Sequence, residues 1–244
     1  MSGAEKIRKN EFMKQDDRLR PHIPVTLKAT PSNFRELLDK YSDIIFKPIN
    51  GSRGRNVYRV TSLTSGQYRI HHESNIVHVY TKEEVFNRIQ LHSRTHDYLV
   101  QPRIRLAKIN GRPFDMRVIV QRKRNSKKWK VTGKVAKVAG KGYIVTNITR
   151  SGGTVRKVRT AIRQSSLQPS KKRKLLPAIN RLAVATASRL KKIYPSQRIY
   201  GLDMGVDKTG HLWIIEANRR PAMSHFLKLR DRTMYRRIRR WKSK

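Results

Sequence analysis

The sequence predicts an α+β fold, and three features carry that reading. Apolar, strand-like runs occur in pairs joined by turn residues, as in IYGLDMGV and HLWIIEAN around the turn DKTG. Amphipathic segments with their own capping residues stand apart from these pairs and read as helices. The 244-residue length fits one large domain or two small lobes, with enough chain for a real core.

Along the chain, residues 1–30 read as a basic, irregular lead-in. PSNFRELLDKYS (31–42) reads as a helix capped by Ser32, with Arg35 and Glu36 in its first turn. TKEEVFNRIQLH (81–92) reads as a second helix, with Thr81 and Glu84 as a capping box. Strands are expected at 98–102, 114–121, 128–138 and 142–148. LLPAINRLAVATASRLKKIY (175–194) is the long helix, with Leu175, Ile179, Leu182, Thr186/Ala187, Leu190 and Ile193 as its buried stripe. The last segment, 227–244, reads as a basic helix or tail, in which Tyr235, Ile238 and Trp241 recur every three residues. There is no internal repeat. His71, His72, His78, His92 and His96 show no metal-ligand spacing and read as loop or core residues.

Charge is the dominant compositional fact. The chain carries 57 Lys+Arg against 16 Asp+Glu, a net charge of +41. Such a surplus opposes compaction unless polyanions or counterions screen it. Nucleic acid, held through phosphates, is one partner class it implies. An acidic protein, a nucleotide or another anionic polymer is the other. The basic residues cluster in QRKRNSKKWK, RSGGTVRKVRTAIR, SKKRK and the C-terminal run. There is no cysteine, which excludes thiol catalysis, disulfides and Cys-type zinc sites. No stretch of ~18 apolar residues exists, so no membrane partner is expected. The N-terminus lacks a signal-type apolar core, and a soluble cytoplasmic protein is expected.

Against that background the acids are informative. From Met116 to Leu202 there is no Asp or Glu, and beyond it stand Asp203, Asp207, Glu216 and Asp231. Asp203 and Glu216 lie in apolar strand-like runs. A buried carboxylate has to be paired, protonated or bound to metal. With DKTG as a four-residue turn, Val206 pairs with His211 and Asp203 lies opposite Ile214. Asp203, Ile214, Glu216 and Asn218 then share one face, with the two acids diagonal neighbours. Two carboxylates and an amide oxygen suit a hard cation such as Mg²⁺ that also carries phosphates. A plain hairpin with salt-bridged acids stays open, and a three-residue loop would put the acids on opposite faces. Asp207 reads as a turn residue.

Upstream, DIIFKPINGSRGRNVYRV (43–60) places a strand ending in Lys47-Pro48 before a loop rich in Gly, Ser and Arg, then a second strand. Gly51 and Gly54 permit positive φ and close backbone approach, so N–H groups there can cradle phosphate. Lys47 adds a point charge, with Arg53 or Arg55 to cap the site. The loop is neither a Walker loop nor a dinucleotide fingerprint, because it leads into a strand. A plain hairpin turn is the alternative.

Taken together and in order, these stretches resemble the ATP-grasp superfamily, and more closely its spore-coat-associated YheC/YheD branch. The motifs are IPVT (23–26), KPINGSRG (47–54), FDMR (114–117), WKVTG (129–133), TNITRSGG (146–153) and the closing hairpin with Asp203, Glu216 and Asn218. The match covers roughly residues 12–225. The resemblance implies two α+β lobes, with mainly antiparallel sheets, gripping ATP. It implies a small lobe at 31–98 with the phosphate loop, a C-terminal lobe at 99–226 with the metal site, and a basic helix or tail at 227–244. The lobe that commonly precedes the core is expected to be largely absent.

The resemblance also assigns roles. Lys47 contacts the α/β-phosphates, Ser52, Arg53 and Gly54 cover the β/γ end, and Lys14 sits where a second phosphate lysine is expected. Gln101 and Ile104, in a hinge strand, lie nearest adenine, and Asp115 near the ribose. Arg117 faces the transferred phosphoryl or acyl-phosphate oxygen. Asp203, Glu216 and Asn218 are the Mg²⁺ ligands. Asn147 and the Gly152-Gly153 turn lie where acyl phosphate and acceptor meet. Lys137 stands where the family usually has an arginine, so a point charge replaces a bidentate fork. The expected activity is an ATP-dependent carboxylate–amine ligase forming C–N bonds through an acyl phosphate. Its substrates are a small amino acid or amine and an acidic peptide, protein or carrier. The cytoplasm of a sporulating cell, or the spore coat, follows as the location. A kinase of a polyanionic acceptor and a non-catalytic binder of nucleic acid or coat polymer are the alternatives.

Overall fold

The computed structural model describes residues 3–50, 55–91, 97–143, 146 and 148–243. The chain opens with helix α1 (Gly3–Lys14), then a short 3-10 turn at Arg20–His22. Strand β1 (Leu27–Lys28) and helix α2 (Pro31–Tyr41) follow. Next come β2 (Asp43–Pro48), β3 (Tyr58–Ser62), β4 (Tyr68–His72), β5 (Asn75–Val79), α3 (Lys82–Leu91) and β6 (Tyr98–Pro102). These strands form one antiparallel sheet in the order β1-β6-β2-β3-β4-β5. Period-2 alternation decides its two faces. Ile44, Phe46, Val60 and Val100 point to a core with Phe34, Leu38, Val85 and Ile89 of the two helices. Asp43, Ile45 and Lys47 of β2 point the other way.

The second lobe contains β7 (Lys108–Ile109), β8 (Arg112–Gln121), β9 (Lys130–Val138), α4 (Ile148–Ser151) and β10 (Thr154–Lys157). It continues with α5 (Val158–Gln164), α6 (Pro169–Leu190), β11 (Ile199–Val206) and β12 (Leu212–Asn218). The chain closes with α7 (Ser224–Leu227) and α8 (Thr233–Ser243). The sheet order is β10-β9-β8-β11-β12, with β7 beside β8. One face packs on α6 through Leu175, Ile179, Leu182, Ala187 and Leu190. On the other face, Ile119 and Val135 form a small core with Phe226 and Ile238. Gly133 makes that docking feasible, since a Cβ there would stand 2.6 Å from Ile238 Cδ1 and 2.8 Å from Phe226 Cε1.

Several expectations need correction. The lead-in is not irregular: α1 lies along α6, and Met13 and Leu19 enter the main core. Few of its residues are apolar, so its docking is carried by polar contacts that periodicity cannot reveal. Lys9 is buried and donates to the Ala217 carbonyl at 2.5 Å. His22 Nδ1 bonds the Leu212 carbonyl at 2.7 Å. Both contacts satisfy acceptors along β12, the edge of its sheet, which would otherwise invite pairing with another chain. Helix α2 is capped by Thr30, which accepts from Asn33 N at 3.2 Å, rather than by Ser32. Pro31 fills the first helical position, where its missing N–H is not needed. The span 142–148 is not a strand in its described part: Gly142 lies in a turn with φ +80 and Ile148 opens α4. β10 is the strand that pairs with β9.

Candidate active site

The hairpin β11–β12 does not have the expected register. Val206 pairs with Leu212 and Met204 with Ile214, one residue away from a four-residue turn. Asp207 sets this shorter turn. Its Oδ1 accepts from Thr209 N at 2.9 Å and His211 N at 3.1 Å, and its Oδ2 accepts from Trp213 Nε1 at 2.9 Å. That register alone would send the two acids to opposite faces. A β-bulge at Ile215 restores them, so that Asp203 lies directly opposite Glu216 and Gly201 opposite Asn218. Ile214 turns into the core instead of sharing their face.

Asp203 is buried and accepts three hydrogen bonds. Arg117 forks onto it, Nε to Oδ1 at 3.0 Å and Nη2 to Oδ2 at 2.8 Å. Lys137 Nζ is 3.1 Å from Asp203 Oδ1 and 3.0 Å from Asp115 Oδ1. Thr146 donates to Asp115 Oδ2. These residues sit on β8, β9 and β11, whose pairing brings Asp203 beside Arg117 and Asp115 beside Lys137. The result is a charge-balanced network of two acids and two bases. Burial opposes ionisation of Asp203, but the Lys137 and Arg117 charges outweigh it and hold its carboxyl down at about 2. For Asp115, burial wins over Lys137 and the carboxyl is pushed up.

Glu216 stands at the open side, with its side chain 34% exposed and Lys6 Nζ 3.4 Å from Oε1. Asn218 Nδ2 bonds its other oxygen at 3.3 Å. Across the cleft, Lys47 Nζ bonds Gln101 Oε1. Burial lowers the Lys47 ammonium to about 8, with Glu216 raising it and Lys6 lowering it. Lys6, Lys47 and Glu216 therefore share one field between the lobes. At the hinge end, a cavity of about 440 Å³ is lined by Asp43, Arg103, Ile104, Asp207, Trp213 and neighbours.

The donor set fits a hard divalent cation. Asp203 uses three of roughly four carboxylate lone-pair positions, leaving one. Glu216 faces an ammonium in the place where a metal would supply positive charge. Among the described residues no three carboxylate or imidazole groups converge, and the Asn218 amide oxygen would complete a set of three oxygen donors.

Asp115, Arg117, Lys137, Asp203, Glu216 and Asn218 thus come together on one sheet, facing Lys47 and Gln101, with Ile104 in the adjoining cavity. Lys14 does not join them: it ends α1, paired with Glu11 at 2.8 Å. Lys6, two helical turns earlier, reaches Glu216 instead. No sequence signal distinguishes it, because α1 has few apolar residues and no hydrophobic stripe to mark a helix. Ser52, Arg53, Gly54 and Asn147 lie outside the described residues.

A sequence model described as YheC/D-like ATP-grasp matches residues 2–242. The chain belongs to the YheC/D-like ATP-grasp family. It is 29% identical over 227 residues to the endospore coat-associated protein YheD of Bacillus subtilis (strain 168), covering 89% of this chain and 48% of that protein. Endospore coat-associated protein YheC of the same organism is 23% identical over 224 residues, covering 89% and 60%. The chain spans about half the length of these relatives. Among solved structures, biotin carboxylase from Campylobacter jejuni, in complex with β-γ-ATP, aligns with a TM-score of 0.53 at 12% identity, covering 91% of this chain and 42% of that one. The L-amino acid ligase from Bacillus licheniformis aligns at 0.50 and 12%, covering 97% and 46%. These likenesses establish the ATP-grasp fold: α+β, with two antiparallel sheets facing across the cleft that holds the charge network. No helix among the described residues is long and apolar enough to cross a membrane.

Proposed function

We propose that this ATP-grasp chain is an ATP-dependent carboxylate–amine ligase. The observation that carries the proposal is the opposition of Asp203 to Glu216, with Asn218 alongside, across a cleft from the half-buried Lys47. ATP transfers its γ-phosphoryl group to a substrate carboxylate and ADP leaves. The amine nitrogen then attacks the acyl carbon, the C–O bond to phosphate breaks, and phosphate and a proton are released. Asp203, Glu216 and Asn218 would hold Mg²⁺, which neutralises phosphate charge. Lys47 binds phosphate oxygens. Arg117 holds Asp203 through two of its nitrogens and keeps Nη1 for an oxyanion. Lys137 keeps Asp115 and Asp203 at a fixed separation. None of these residues is a nucleophile. The protein contributes position and charge. The carboxylate or amine belongs to an acidic polypeptide, which the charge of +41 would attract. The coat association named for the relatives suits that substrate class.

Thermal unfolding with Mg²⁺ and ATP tests the nucleotide site. The wild type is expected to gain about 2–3 kcal/mol at a hundredfold excess over the dissociation constant. Glu216→Gln is expected to keep its unliganded stability and lose the gain. Equal gains in both proteins would contradict the assignment.

The lysine adds a pH test. Its folded-state value lies below that of a free lysine, so the buried charge weakens the fold below about pH 8, and that penalty lifts as pH rises toward 10.5. Nucleotide binding runs in the opposite sense, because the deprotonated amine no longer attracts phosphate. ATP affinity, measured by calorimetry, should fall above about pH 8. Lys47→Arg should flatten that fall, since guanidinium stays charged throughout. The same slope in both proteins would remove Lys47 from phosphate binding.

A further inference from the structure

The basic surplus is not spread evenly. From Met116 onward there are thirty-six Lys and Arg residues and four carboxylates. Asp203 lies in the buried network, Glu216 in the cleft, and Asp207 is consumed by its own turn. Asp231, the last, pairs with Lys157 at 2.9 Å. The C-terminal segment therefore has no acid left to neutralise its arginines.

Helix α8 is fixed by few of its residues. Ile238 is buried over Gly133, Gln121 Nε2 donates to the Ile238 carbonyl at 3.2 Å, and Arg237 Nε donates to the Thr132 carbonyl at 2.5 Å. Arg232, just before the helix, and Arg236 and Arg239 within it are exposed, and among the described residues none has an acid partner. Lys123 covers the Trp241 ring at 5.6 Å, which joins the 122–130 loop to the same surface. Two of the sequence's basic clusters thus converge here.

This surface lies on the same sheet face as the charge network. Arg117, Ile119 and Gln121 alternate along β8, and α8 covers the last two. Four residues of strand separate Gln121 from Arg117, about 13 Å. A few extended residues of a second chain span that distance.

We propose that α8 and the segment before it dock an acidic polypeptide whose reacting end extends into the cleft. This rests on the ligase reading and names its acceptor. A single-stranded nucleic acid is disfavoured because Lys123 stands over one face of the Trp241 ring at 5.6 Å, which removes that face as a stacking platform. Carboxylates spaced along an extended chain meet the exposed arginines without one, and the closeness of the cleft gives the docking a catalytic purpose.

The test is fluorescence anisotropy with labelled poly-L-glutamate and, separately, a labelled single-stranded DNA of equal charge, at low and high salt. The wild type should bind poly-L-glutamate the more tightly, and salt should weaken it steeply. The variant Arg232→Gln/Arg236→Gln/Arg239→Gln should lose at least about tenfold in affinity. Its melting temperature and its response to Mg²⁺ and ATP should match the wild type. Undiminished poly-L-glutamate binding by the variant overturns the proposal, and so does tighter binding of single-stranded DNA, which would assign the surface to nucleic acid. If neither protein responds to nucleotide but glutamate binding still needs the three arginines, the docking surface stands and the ligase reading fails.

Discussion

Replacing Arg117 by methionine is expected to lower stability by about 3–5 kcal/mol, because it leaves a buried charge without its partner. In thermal unfolding that is a fall on the order of 10 °C for a chain of this size. The reason is a charge count inside the sheet. Asp115 and Asp203 face Arg117 and Lys137, and all four are buried. Without the guanidinium, two acids share one ammonium, and Asp203 loses both bonds of the fork. Acid sensitivity should change as well. The folded-state value of Asp203, about 2, lies below the ordinary 3.8, so its stabilisation is complete above about pH 4 and drains as pH falls toward 2. In Arg117→Met the folded-state value rises toward 3.8, so that acid-induced loss should shrink. The double variant Arg117→Met/Asp203→Leu separates pairing from packing. It removes one acid and one base and leaves Lys137 with Asp115, a balanced pair at 3.0 Å. It should be more stable than Arg117→Met alone, yet unresponsive to Mg²⁺ and ATP. A single variant within about 1 kcal/mol of wild type would mean that the network is not desolvated.

The same residues show where sequence reasoning reaches and where it stops. The retention of Asp203 and Glu216 in apolar runs exposed the site because burial of a carboxylate demands a reason. Strands 98–102 and 114–121 and the stripe of α6 were legible because side-chain period reports burial directly. The register of the closing hairpin was not legible. Trp213-Ile214-Ile215-Glu216 contains no residue that announces a bulge. Only the turn set by Asp207, together with the pairing of Asp203 and Glu216, requires one. The counted geometry, with Asp203 opposite Ile214, is off by a bulge. Helix α1 was missed for a different reason: Lys9 and His22 bury polar atoms against backbone carbonyls of β12, and no hydrophobic period accompanies such contacts. The place of Lys6 rather than Lys14 beside Glu216 is hidden for the same reason.

Gly140→Ala is the second large effect expected, and it bears on the turn beside the charge network. A Cβ at this position would stand 1.5 Å from the Ser151 carbonyl oxygen and 2.5 Å from its carbon. The obstruction is backbone, so no rotamer change relieves it. Gly153, whose Cβ would lie 2.3 Å from the Val138 carbonyl oxygen, shows the same contact from the other strand. The end of β9 and the turn through 148–153 thus touch main chain to main chain, joined by Gly140 N donating to Ser151 Oγ at 3.0 Å. An added methyl has to push the turn away from β9. Thr146, just ahead of α4, is then drawn off Asp115, whose other partner is Lys137 on β9. Overpacking of this kind costs about 1–3 kcal/mol, and the displaced turn should reduce ADP release well beyond the loss in folded protein. Gly142→Ala is the comparison. Its φ is +80 and nothing lies within 4 Å of the added Cβ, so only backbone strain of about 1 kcal/mol is expected. Stability and nucleotide turnover measured on both variants decide the matter. If Gly140→Ala is no worse than Gly142→Ala, the turn is not held against β9, and the coupling of Thr146 to the charge network does not exist.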